Sequence, residues 1–90
     1  MTNYRAGARK EYAVLRSLKS RGAVCSRSAG SHGLWDVVSV LGGEVTLIQV
    51  KSGRRHEDAN LALFRALKVR ATKELWHYTR GSTKPRVEEL

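Results

Sequence analysis

The segment WDVVSVLGGEVTLIQVK, residues 35–51, joins two runs of strand-forming residues through a pair of glycines. The runs 35–41 and 45–51 are rich in Val, Leu and Ile, which favour extended backbone. Gly42 and Gly43 accept the positive φ angles that two-residue hairpin turns require. We therefore predict a β-hairpin over this segment, as the part of the sequence that decides the fold.

The turn also predicts which residues of the hairpin face each other. A two-residue turn puts Leu41 opposite Glu44, and the same register puts Asp36 opposite Gln49. Opposed residues point to the same face of an antiparallel pair, and Lys51 follows Gln49 by two positions onto that face. Three polar side chains are thus predicted to converge at one end of an apolar hairpin.

Two interpretations of this polar group are open. The three residues could lie on a solvated face of an edge hairpin, which is the ordinary place for charged side chains. However, both faces of the predicted hairpin are apolar, which favours a central hairpin covered on both sides. Ionisable groups at the mouth of a buried sheet often have functional roles. The apolar residues on the two faces are Val37, Ile48 and Val50, and Val38, Val40 and Leu47.

The remaining chain predicts a single α/β domain over residues 1–90 with the order α-β-β-β-α-β-(β). The first helix has an apolar arc formed by Tyr4, Ala8, Tyr12, Leu15 and Leu18, and Gly22 suits its C-terminus. Glu11 falls inside this arc, where a bare charge is costly unless it is paired or used. The predicted helices are 3–20 and 58–70, and the other predicted strands are 23–28, 74–79 and 85–90.

Composition restricts the class of protein. The chain has 90 residues, a hydrophobic content of 41% and a formal net charge of +9, which favours a polyanionic partner. Its only cysteine, Cys25, excludes an internal disulfide and a cysteine-rich zinc site. No apolar run is long enough for a membrane helix or a secretory signal. We expect an intracellular, cytoplasmic protein without a membrane partner or a nucleotide cofactor.

The polar group suits metal-assisted hydrolysis of a phosphodiester. A hard divalent cation prefers oxygen ligands, and Asp36, Gln49 and the main-chain carbonyl of Val50 would supply them. Lys51 suits water orientation or stabilisation of developing charge. Glu11 would complete the set of ligands if the first helix packs on this sheet.

The pattern Asp36…Gln49-Val50-Lys51 resembles the signature of the PD-(D/E)XK nuclease superfamily. The helix with Gly7 and Glu11 and the stretch RSAGSHG, residues 27–33, are similar to the archaeal-type Holliday-junction-resolving nucleases. The resemblance covers about residues 4–79. It implies a restriction-endonuclease-like mixed β-sheet flanked by helices, and a homodimer. It also implies a Mg²⁺-dependent endonuclease (Mn²⁺ is also possible) that resolves four-way DNA junctions by paired nicks in recombination and repair.

The resemblance also implies roles for individual residues. Glu11, Asp36 and Gln49 would bind metal, Lys51 would be catalytic, and Ser31 would approach the scissile phosphate. The residues expected to contact the DNA backbone are Arg5, Arg9, Lys10 and Arg27 by motif position, with His32, Arg54 and Arg55 added from their positions in loops near the site. His56 and His77 have no partners at zinc-binding spacing.

Gln49 departs from the family, which usually has Glu at this position. The amide keeps an oxygen ligand but removes a negative charge, so we expect weaker metal binding. Two alternatives therefore stay open: a related nuclease that acts on flaps, nicks or duplex DNA, and a DNA-binding module that kept the fold but lost cleavage.

Overall fold

The structure is a computed structural model that describes residues 2–28, 34–54 and 57–90. The predicted element order is confirmed. The elements are α1 (Thr2–Ser20), β1 (Val24–Arg27), β2 (Val37–Leu41), β3 (Glu44–Ser52), α2 (Ala59–Ala66), β4 (Thr72–Tyr78) and β5 (Arg86–Glu89). No helix in these ranges is long and apolar enough to cross a membrane.

The five strands form one mixed sheet in the order β1-β2-β3-β4-β5. The predicted hairpin register is confirmed, since Leu41 pairs with Glu44 and Val37 pairs with Ile48. The turn glycines have φ angles of 59° and 81°, both in the left-handed region. The regular pairing ends at Val37, one residue before the predicted pair of Asp36 with Gln49.

The pairing of β3 with β4 is parallel, and α2 makes the crossover between them. The carboxyl ends of both strands therefore lie at one edge of the sheet, where Ser52 pairs with Tyr78. This edge also carries Lys51, so the topology places the predicted site at the strand ends where ligands of open α/β sheets usually bind.

Helix α1 packs on one face of the sheet. Val14, Leu15 and Leu18 join the core cluster that contains Val37, Ile48 and Trp76. Gly22, with a φ of 90°, ends the helix as predicted, because the Ala23 amide donates to the Leu18 carbonyl at 3.1 Å. Tyr12 differs from the prediction, since 49% of it is exposed, and its hydroxyl and ring contact Arg27.

Helix α2 covers the opposite face, and it is shorter than predicted. Leu61 and Phe64 are fully buried. The helix ends at Ala66 instead of residue 70, and the Lys73 ammonium group donates to carbonyls at its C-terminal end. Its Nζ donates to the carbonyls of Phe64, Arg65 and Leu67 at 2.9, 2.7 and 2.8 Å.

The apolar cover of the hairpin is uneven. Close to Gln49 the strands are buried, with Leu47 and Ile48 in the core. Near the turn, Val40, Leu41 and Val45 are exposed. The prediction of a hairpin covered on both faces is therefore correct at the end that carries the polar group and wrong at the turn.

Candidate active site

Asp36 is fixed by backbone on both sides. Its amide donates to the Ile48 carbonyl at 2.8 Å, and its carbonyl accepts from the Ser28 amide at 2.9 Å. Its carboxylate Oδ2 accepts from the Val50 amide at 2.8 Å. Three bonds to two segments, β3 and the residue after β1, hold Asp36 and its carboxylate in place just before β2.

The charges around Asp36 identify its neighbours. Burial raises the pKa of Asp36 above its usual value, and the hydrogen bond from Val50 opposes this shift. The carboxylate of Glu11 raises the same pKa further, whereas the cations of Lys51 and Arg27 lower it. Glu11, Lys51 and Arg27 therefore lie within electrostatic range of Asp36, and α1, β1 and β3 each contribute to one site.

Glu11 is held by a cation from β1. Arg27 Nε donates to Glu11 Oε1 at 2.8 Å, and its Nη1 donates to the Tyr12 hydroxyl at 3.1 Å. These two hydrogen bonds raise the pKa of Arg27, so its guanidinium stays charged. Arg27 was predicted as a DNA-backbone contact from its motif position, and in the structure it is bound to Glu11, the acid that sequence analysis found unusual.

Gln49 is buried on the face opposite α1. Only 2% of the residue is exposed, and its Nε2 donates to the Leu34 carbonyl at 3.1 Å. Its Oε1 atom is also buried. Val50 follows it with the amide bound to Asp36, so two adjacent residues of β3 connect to the chain around Asp36.

Lys51 has a partner that the sequence analysis missed. Its Nζ donates to Oδ2 of Asp58, the residue that caps the N-terminus of α2. The predicted start of α2 at residue 58 was a usable signal, because Asp is a preferred N-cap. The N-cap preference of Asp58 did not, however, predict that its carboxylate also binds Lys51.

The other predicted residues are spread more widely. Arg9 is exposed on α1, Lys10 lies with its Nζ 4.9 Å from the centroid of the Tyr78 ring, and Arg54 is exposed after β3. Cys25 is half-buried, and His77 is buried with its Nε2 2.7 Å from the Gly53 carbonyl oxygen. Ser31, His32 and Arg55 lie outside the described residues, as does the side chain of Arg5.

The donor set fits a hard divalent cation. Within residues 2–28, 34–54 and 57–90, no group of three or more His, Cys, Asp or Glu side chains is arranged to bind a metal ion. What is present is a pair of neighbouring carboxylates, Glu11 and Asp36, with the pKa of Asp36 raised by burial and by that neighbour. A bound cation would relieve this repulsion, and carboxylate oxygens are the ligands that Mg²⁺ prefers.

Comparison with known proteins identifies the fold. No model of a known protein family matches the sequence, and no curated protein sequence matches it. The structure of Hjc from Archaeoglobus fulgidus, a Holliday junction resolvase from an archaeal hyperthermophile, matches with a TM-score of 0.69 and 24% sequence identity. The match covers 93% of this chain and 72% of that one. The predicted restriction-endonuclease-like fold is thereby confirmed.

Proposed function

We propose that this protein is a metal-dependent endonuclease that cleaves branched DNA, with the four-way junction as its preferred substrate. The observation that carries the proposal is the hydrogen bond from the Val50 amide to the Asp36 carboxylate at 2.8 Å, which joins Asp36 to the strand that carries Gln49 and Lys51. Glu11 on α1 raises the pKa of Asp36 and Lys51 on β3 lowers it, which supports the grouping of residues that the resemblance to junction-resolving nucleases implies. The fold shared with a Holliday junction resolvase supports the same function.

The residues have distinct tasks in this proposal. Glu11, Asp36, Gln49 and the Val50 carbonyl would hold Mg²⁺, which activates water and neutralises charge on the phosphate when bound. Asp36 supplies a fixed carboxylate, because its orientation is set by the Val50 amide. Lys51 supplies a positive charge close to that carboxylate, where it stabilises charge that develops on the phosphate.

The net charge of +9 supports binding to the DNA backbone. Exposed Arg9 and Arg54, on α1 and after β3, would contact phosphates and give salt-dependent affinity without base specificity. A four-way junction is close to two-fold symmetric, so paired nicks need two sites at a fixed separation. A homodimer is therefore part of the proposal.

Cleavage of labelled DNA in Mg²⁺ tests the proposal. Four-way junction, flap, nicked duplex and plain duplex are compared, with the products resolved by strand. Paired nicks in the junction alone support resolution, whereas cleavage of flaps or duplex supports a nuclease of the same fold with another target. Asp36→Asn and Lys51→Ala should abolish cleavage and leave junction binding largely intact. Loss of binding in both variants would mean that these residues are structural.

A DNA-binding module without cleavage is the second candidate, and one observation favours it. Gln49 replaces the usual Glu, and its Nε2 is bound to the Leu34 carbonyl, so the side chain already has a structural partner. Tight junction binding without products across a range of Mg²⁺ and Mn²⁺ concentrations would identify this alternative.

A further inference from the structure

We propose that Asp58 is a positioning residue for Lys51, an inference that rests on the proposed nuclease function. The carboxylate of Asp58 uses its two oxygens on two different elements. Oδ2 accepts from Lys51 Nζ on β3, and Oδ1 accepts from the Leu61 amide of α2 at 2.8 Å. One side chain therefore connects the lysine of the site to the first turn of a helix.

The first turn of helix α2 fixes the backbone of Asp58. The backbone of Asp58 is extended, with φ −116° and ψ 176°, as an N-cap requires. Its carbonyl accepts from the Ala62 amide at 3.0 Å, and the first turn is anchored by fully buried Leu61. The backbone of Asp58 and its Oδ1 atom are thus held by α2, in addition to the contact of Oδ2 with Lys51.

The strand end beneath Lys51 is fixed as well. Lys51 pairs with buried His77 on β4, and His77 Nε2 lies 2.7 Å from the carbonyl oxygen of Gly53. The Gly53 amide donates to the Tyr78 carbonyl at 2.9 Å, and its φ of 86° turns the chain away from the sheet. With the backbone held in this way, the flexible part is the long side chain of Lys51, and Asp58 binds its end.

Stability alone does not account for this contact. The side chains of Lys51 and Asp58 are 28% and 33% exposed, and ion pairs with that access to water contribute little to the free energy of unfolding. Lys51 also lowers the pKa of Asp36 in the proposed metal site, so its ammonium group acts on that carboxylate while it is bound to the carboxylate that caps α2. A positioning role predicts a larger effect on cleavage than on stability.

Asp58→Asn tests the inference, because Asn caps helices as well as Asp but lacks the charge. We expect the single-turnover rate of junction cleavage to fall about 10- to 100-fold, as for other misplaced catalytic groups, with little change in junction Kd or Tm. In a Lys51→Ala background, Asp58→Asn should cause no further loss. Glu57→Gln is the matched control, since the neighbouring Glu57 binds Arg65 at 2.8 Å instead.

A second readout does not require cleavage. Modification of Lys51 by an amine-acylating reagent, followed by mass spectrometry, should be several-fold faster in Asp58→Asn than in the parent protein or in Glu57→Gln. Unchanged modification, or a cleavage rate unaffected by Asp58→Asn, would overturn the inference. Full cleavage by Lys51→Ala, or no cleavage by the parent protein, would instead overturn the proposed function, and the modification rates would still decide the contact.

Discussion

The Asp36 carboxylate accepts a hydrogen bond from the Val50 amide at 2.8 Å, which connects the residue before β2 to the strand that carries Lys51. This bond offsets only part of the effect of burial, since the pKa of Asp36 remains above its usual value. The fold therefore holds an acid in a place where its ionised form is disfavoured, an arrangement typical of functional carboxylates.

Asp36→Asn should stabilise the protein at neutral pH. The pKa of Asp36 is higher in the folded chain than its usual 3.8. The carboxyl group therefore lowers the free energy of unfolding as pH rises from 3.8 through the pKa of the folded state, and this loss is complete above that pKa. Asn keeps an acceptor for the Val50 amide and has no charge. We expect a higher Tm than that of the parent protein at pH 7 and equal values at pH 3, measured by calorimetry without Mg²⁺. Each kcal/mol gained shifts the Tm of a domain of this size by about 4–8 °C. A lower Tm at pH 7 would contradict a destabilising carboxylate.

Gln49→Glu should make stability depend on Mg²⁺. The substitution replaces the donor that binds the Leu34 carbonyl with a carboxylate at a position that is 2% exposed. Burying an unpaired charge is costly, so the Tm should fall without metal, by the equivalent of about 1–3 kcal/mol. With Mg²⁺ the Tm should recover more than that of the parent protein, and cleavage should persist at lower Mg²⁺ concentrations. Equal responses of the two proteins to Mg²⁺ would show that the Gln49 side chain does not face the metal.

Arg27→Ala should shift the pH dependence of cleavage. Arg27 lowers the pKa of Asp36 and pairs with Glu11, so its removal raises the pKa of Asp36 further. If cleavage needs ionised Asp36, the acid limb of the single-turnover pH profile moves to higher pH. Arg21→Ala is the control, because Arg21 lies over the Trp76 ring, 5.5 Å from its centroid. An unshifted profile for Arg27→Ala would mean that ionisation of Asp36 does not limit the rate.

Arg9→Ala should lower the salt dependence of junction binding. If exposed Arg9 contacts one phosphate, its loss reduces the slope of log K against log salt by about 1 and leaves the cleavage rate at saturation unchanged. Arg70→Ala is the matched control, since exposed Arg70 precedes β4 at the opposite end of the sheet from Lys51. Equal slopes for the two variants would indicate that α1 does not contact DNA at Arg9.

The hairpin could be predicted in detail because its determinants are local. Gly42 and Gly43 select the turn, and the turn selects the register that pairs Leu41 with Glu44 and Val37 with Ile48. The order of elements followed from periodicity in the same way. The position of Glu11 in the apolar arc and the family resemblance both predicted it as part of the site, and in the structure its charge raises the pKa of Asp36.

The contacts that were missed depend on how separate helices and strands pack against each other. Asp58 lies only 7 residues from Lys51 along the chain, but their contact requires both the end of β3 and the N-cap of α2 to be in place. Arg27 is 16 residues from Glu11 in the sequence. Its hydrogen bond to Glu11 forms because β1 lies beside α1 in the fold. Apolar Leu67 and Val69 predicted a longer α2. In the structure the carbonyl of Leu67 accepts from Lys73, which belongs to β4.

The contact of Lys73 with the end of α2 makes this position one where lysine and arginine cannot replace each other. An ammonium group carries three N–H donors around one atom, and three carbonyl oxygens converge on it here. A guanidinium spreads its donors over a plane and cannot meet acceptors gathered around a single point. Most of the other basic side chains that the structure describes are exposed, whereas this half-buried lysine caps the end of a helix.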